Sequence, residues 1–293
     1  MTMPPPRTAW NLLYETADAA SWMLPVEALD PGTRVEAAAA RPTEQPSGWI
    51  GQHGPAIAPE TWPRSPGTGL PMRHTLTLWL PPEYLTRGPA LPGIAIFQGD
   101  TADGGPVEQD AAPGSAMAGP AGRPADDPHL ASLAAARPHP RLTTAVTTFA
   151  PHRFALIWLT ADELAPGPTA PPRDIRRPAE HTTSPNAWDD PQPTRRVWLQ
   201  RREDRNVGLA TRSPDYRGPY DERSGDLMPW ARSIPFEFAN HLGGTYMEID
   251  FTPSLSPRFL QLGRSVGIHF DLSYAASGIL AVDLESAEFD LMG

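Results

Sequence analysis

Neither lysine nor cysteine occurs in this chain, so all 24 of its basic side chains are arginines. Without cysteine there is no disulfide framework, no thiol nucleophile and no thiolate zinc cluster. Without lysine there is no P-loop cation and no Schiff-base amine. Long apolar runs are missing too: the longest spans a handful of residues, against the ~18 to 20 that a membrane-crossing helix needs. The opening Met1–Arg7, MTMPPPR, has neither a basic segment followed by an apolar one nor a cleavage-like site. A soluble, cytoplasmic protein without membrane contact is expected.

Positive charge is the other shortage. The formal net charge is −10, which disfavours nucleic acid, because that affinity comes mainly from neutralising phosphates. Between Arg173 and Arg223 there are 11 arginines, but 9 acids share the stretch. An excess of two describes a mixed, solvated surface rather than a nucleic-acid footprint.

What is abundant is punctuation. Proline (38) and glycine (24) make up about a fifth of the 293 residues, short of the level of wholesale disorder. The composition implies a folded protein with long, broken connections. Trp10, Leu13, Tyr14 and Ala17 recur at helical spacing, so residues 8–23 are expected to form an amphipathic helix capped by Thr8 and stopped by Pro25. His74–Leu80 alternates Leu76, Leu78 and Leu80 against Thr75, Thr77 and Trp79, the period of a half-buried strand, and Gly93–Gln98 has the length of a core strand. Residues 99–125 hold almost nothing to bury and read as a surface excursion. A short helix is expected over 129–137, a doubly covered core strand over 154–159, and an edge strand over 196–200 with arginine flanks. Strands at 245–251, 266–272 and 279–284 close the chain as an antiparallel meander with one face on the core. The expected class is therefore α+β: β-rich antiparallel sheet, few short helices and long Pro-rich loops. Its organisation runs 1–98, an excursion at 99–125, and a main part at 126–293.

Three patterns carry candidate chemistry. Gly263-Arg264-Ser265-Val266-Gly267 matches G-x-S-x-G, yet an alternating segment follows it where a nucleophile elbow needs a helix, so a turn explains it better. If strands 246–251 and 266–272 are neighbours, Glu248, Asp250, His269 and Asp271 share one sheet face. Three carboxylates and an imidazole suit a divalent cation or acid–base work, although outward alternation on a solvated sheet produces the same pattern. Finally, nine tryptophans are many for this length. Trp62, Trp188 and Trp230, each near proline, form a candidate aromatic binding surface, or else they pin long loops to the body. No cofactor is expected.

Trp62-Pro63, Thr68-Gly69-Leu70-Pro71, Leu91–Phe97 and His241-Leu242-Gly243-Gly244, taken in order, resemble the YwqG-like family of uncharacterised bacterial proteins. The resemblance spans 49–98 and 228–290 and implies a β-rich α+β fold without known catalytic residues. Trp230, Ile234-Pro235-Phe236 and Gly243–Pro253 are similar instead to the SUKH superfamily, whose members include toxin-binding immunity proteins. The expectation is a non-catalytic binding protein for a protein or peptide partner, in its concrete form a toxin-neutralising one. The alternative is a metal-dependent hydrolase using Glu248, Asp250, His269 and Asp271.

Overall fold

The computed structural model describes residues 3–15, 22–23, 45–65, 69, 71–99, 134–147, 153–172, 193–221, 223–231, 240–247, 252–263 and 279–292. Twelve strands lie within them: β1 (Ala9–Glu15), β2 (Trp22–Met23), β3 (Gly48–Ile50), β4 (Arg73–Trp79), β5 (Gly93–Gln98), β6 (Leu142–Val146), β7 (Arg153–Leu159), β8 (Arg195–Arg202), β9 (His241–Leu242), β10 (Phe259–Leu262), β11 (Ile279–Asp283) and β12 (Phe289–Met292). All belong to one sheet, in the order β12-β11-β10-β9-β1-β8-β3-β4-β5-β7-β6, with β2 pairing β1 beside that path. Every pairing is antiparallel.

Neighbouring strands sit ~4.8 Å apart, so eleven laid flat would separate β12 from β6 by roughly 48 Å. Yet Phe154 of β7 stacks on Phe289 of β12, with ring centroids 5.8 Å apart and planes 11° from parallel. The sheet is therefore curled into an almost closed barrel. Alternate residues of its strands meet inside: Leu12, Ile50, Leu76, Leu78, Ile94, Ile96, Leu156, Val197, Leu242, Leu260, Leu280 and Val282 belong to one buried cluster. Burying each such side chain stabilises by ~1.5–3 kcal/mol. Among the described residues the interior is a packed core.

The outside is covered in two places. Trp49, Trp62, Met72, Ala95, Phe97, Ala155, Ile157, Leu159 and Leu164 pack over β5 and β7. Tyr246, Leu255, Phe259, Ile279 and Ala281 pack over β10 and β11. In β4 the register slips between His74 and Leu76. The extra residue, Thr75, sends His74 to the outer cover, edge-on to Phe97 at 5.5 Å, while Leu76 enters the barrel.

This architecture corrects the α+β expectation. Among the described residues, regular helix amounts to Ala161–Leu164, two 3-10 turns at Pro59–Thr61 and Pro82–Tyr84, the single 3-10 residue Ala231, and the helical pair Ala134 and Ala135. The protein is an antiparallel β structure. The expected N-terminal helix is corrected over its described part: 9–15 is strand β1, with Leu12 and Tyr14 inside the barrel and Asn11 and Leu13 buried on the other face. Burial of both faces removes the alternation that would have marked it as a strand. The arginine-flanked segment is not an edge either, because β8 lies between β1 and β3. Its arginines cover aromatic rings instead, Arg196 over Trp198 at 5.5 Å and Arg201 over Trp10 at 5.9 Å.

The closing meander is β10-β11-β12. Of its expected strands, the third matches β11; residues 245–247 are not strand, and 266–272 lie outside the described residues. No helix among the described residues is long and apolar enough to cross a membrane.

Candidate functional site

The two free edges, β6 and β12, meet across one seam, and a groove of about 540 Å³ runs along it. One wall is Thr143, Thr144, Ala145 and Val146 of β6; the other carries Glu288, Phe289 and Asp290. Trp158 N–H donates to the Arg141 carbonyl, and the same register pairs Thr143 with Leu156 and Ala145 with Phe154. In an antiparallel ladder, pairs that exchange hydrogen bonds alternate with pairs that do not. Thr143 and Ala145 therefore bond to β7, whereas the backbone N–H and C=O groups of Thr144 and Val146 point away from it, along the groove. No strand among the described residues pairs with that side of β6.

The chemistry of this edge is unusual for a monomeric sheet. Natural edges are blunted by charge, proline or a bulge, but Leu142-Thr143-Thr144-Ala145-Val146 has none of these. Val146 is 40% exposed, one of two large hydrophobic residues so exposed among the described ones. The opposite wall is acidic through Glu288 and Asp290. Asp283, also in the lining, is a positioning group: its carboxylate accepts from the Ser256 N–H and hydroxyl and from the Glu285 and Ser286 N–H groups. That fixes the β11–β12 turn and with it the acidic wall.

Elsewhere polar groups are spent on structure. The Glu163 carboxylate takes both its bonds to Arg141 at 2.6 Å, the Thr160 N–H and hydroxyl, and His139 Nε2 at 3.0 Å. Burial alone would raise its pKa, but these donors hold it below the ordinary carboxyl value. His139 is pushed down by burial against the opposing pull of Glu163. This His–carboxylate pair clips the helix start to the approach to β6.

The His241-Leu242-Gly243-Gly244 motif is likewise a lock. Asp204, its side chain wholly buried, accepts from Arg202 at 2.9 Å, the Asn206 N–H, and the Thr245 N–H and hydroxyl. Arg202 also donates to Asn11 Oδ1 and to the Gly243 carbonyl.

Glu248, Asp250, His269 and Asp271 lie outside the described residues, as do Trp188 and Ser265. Trp62 is described and buried: it packs edge-on to Phe97 at 5.2 Å, and its indole N–H donates to the Met72 carbonyl at 2.8 Å. It anchors a loop instead of lining an open surface. Trp230 is half-buried, with the Arg205 guanidinium 4.8 Å from its ring. No group of three or more metal-ligating side chains is found among the described residues. The β6 edge escaped sequence reasoning because β-branched content was its one signal. No family model matches the chain, and no curated protein or solved structure matches it.

Proposed function

We propose that the protein is a non-catalytic binding protein that holds an extended, basic segment of a partner protein as an added strand in the seam between β6 and β12. The observation that carries this reading is the uncharged β6 edge, with the Thr144 and Val146 backbone groups directed into a groove whose far wall is acidic. Strand addition draws affinity from main-chain bonds and specificity from alternate side chains. Arginine or lysine at alternate positions of the segment then faces Glu288 and Asp290, and the net charge of −10 steers such a partner inward. In its most specific form the partner is a toxin and the protein its cytoplasmic neutraliser, the role that similarity to the SUKH superfamily implies.

A decapeptide alternating threonine and arginine is the probe, and one alternating threonine and glutamate its control. The basic peptide is expected to bind by fluorescence anisotropy and the acidic one to fail. Thr144→Pro removes one outward N–H without breaking a β6–β7 bond, and proline is tolerated at such an edge position. It should weaken the basic peptide roughly 3- to 10-fold, the value of one charge-independent hydrogen bond, with the urea midpoint nearly unchanged. Equal binding of both peptides, or full binding by Thr144→Pro, sinks the proposal. Self-association through β6 in place of peptide binding, read by sedimentation, would make the seam a contact between copies and overturn the partner reading.

A further inference from the structure

A second cavity, about 650 Å³, opens at the barrel rim where β8 ends beside the segment leading into β1. It lies mid-sheet in the strand order, away from the seam. Arg7, Thr8, Arg201, Arg202, Glu203 and Asp204 line it. Asp204 is fully committed to Arg202 and to the Asn206 and Thr245 donors described above, so that pair is neutral. What remains is Arg7 and Arg201 against Glu203 and the Glu83 carboxylate beside Arg7, two guanidiniums in local charge balance within a protein of net charge −10.

The Arg201 cation is held in place. The Arg201 guanidinium lies over Trp10 and donates to the Thr8 hydroxyl at 3.3 Å. The backbone N–H of Arg7 donates to Glu83 at 2.7 Å, which fixes its main chain in the lining and leaves the side chain exposed. A further sign comes from beneath them. The Arg202 side chain is 5% exposed, and its Nε–H is buried without a hydrogen-bond partner. Buried donors are seldom left unpaired unless a bound group or a functional role accounts for them. Forked guanidinium donors with an adjacent hydroxyl match the oxygens of a tetrahedral oxyanion.

We infer that this rim cavity binds a phosphoryl group, as free phosphate or as the phosphate of a small organic monoester. Arg7 and Arg201 supply the charge-assisted bonds, Thr8 positions Arg201, and the Arg202–Asp204 pair forms a rigid floor. Inorganic phosphate and phenyl phosphate are the probes, titrated by calorimetry at constant ionic strength with chloride as the balancing anion. Saturable binding of either probe is expected, and tighter binding of phenyl phosphate would assign the rest of the volume to an organic body. Arg7→Gln and Arg201→Gln should each weaken it roughly tenfold, as loss of a bond to a charged group predicts. Both residues are exposed, so the urea midpoint should barely move. Glu203→Gln removes the uncompensated carboxylate and should strengthen binding. No saturable heat with either probe, or binding that the double variant Arg7→Gln, Arg201→Gln retains, overturns the inference.

Discussion

Replacing Gly243 by alanine is expected to remove about 4 kcal/mol of stability, the sum of a left-handed backbone penalty and an overpacked core contact. Gly243 sits at φ +65°, and a Cβ there would lie 2.1 Å from the Tyr84 hydroxyl oxygen. Tyr84 is fully buried and cannot swing aside, because its hydroxyl donates to the Thr8 carbonyl at 2.7 Å. That bond ties the Pro82–Tyr84 turn to the entry of β1, so a displaced ring would loosen both. Gly244, at φ +85°, is as constrained: a Cβ would come 2.6 Å from Asp204 Oδ2 and 2.8 Å from Arg202 Nη2, inside the buried ion pair. Gly225 provides the comparison. Its φ is +73°, but nothing lies within 4 Å of its would-be Cβ, so Gly225→Ala should cost only ~1–2 kcal/mol for backbone conformation. Urea unfolding of the three variants checks this. Equal losses at 225 and 243 would mean that the close approach to Tyr84 contributes nothing.

The same lock shows where the sequence was legible and where it was not. Gly243-Gly244 stands out in the sequence as punctuation before a strand, but its purpose, close contact with Tyr84 and Asp204, joins residues more than 150 and about 40 positions apart. No local pattern encodes that. Gly93–Gln98, 154–159 and 279–283 are visible in advance because each is an apolar run bounded by breakers, and each is a strand. Trp10-Asn11-Leu12-Leu13-Tyr14 imitates a helix because Leu13 is buried outside the barrel while Leu12 is buried inside it. A sheet covered on both faces erases period-two alternation, and what survives of the pattern imitates α+β. The seam was invisible for a different reason: an edge is defined by what does not pair with it, and pairing emerges only when the sheet has closed. The carboxylate and imidazole cluster assigned from 246–251 and 266–272 remains outside the described residues. Only the start of its first segment is described, and there Tyr246 and Met247 are both fully buried in irregular chain.

Acid should weaken this fold well above the range in which carboxylates titrate, because its core stores neutral histidines. His74 is fully buried; its Nδ1–H donates to the Gly51 carbonyl at 2.6 Å, and the Thr77 hydroxyl faces Nε2 at 2.7 Å. Burial, aided by His53 and Arg73, lowers its pKa to about 4 against the pull of its backbone bonds. His241, between the Gly243 carbonyl and Gln261 Oε1, is pushed well below its ordinary value by burial and by Arg202. A group whose folded pKa is depressed contributes fully above its unfolded pKa, here ~6.5, and that contribution drains as pH falls toward the folded value. For His74 the loss runs from pH 6.5 to about 4 and amounts to roughly 3 kcal/mol. With His241 and His139 also titrating in the unfolded chain over the same window, unfolding near pH 5.5 should take up about two protons or more, a slope of at least roughly 2.7 kcal/mol per pH unit. Glu163 adds its own loss lower down, as pH falls below the ordinary carboxyl range toward its depressed value. Urea unfolding at half-unit steps from pH 7.5 to 4.5 gives the slope directly. His74→Gln should remove about one proton, ~1.4 kcal/mol per pH unit, from it. A stability that stays flat between pH 7 and 5 would mean that these rings are already protonated, or reach water, within the folded barrel.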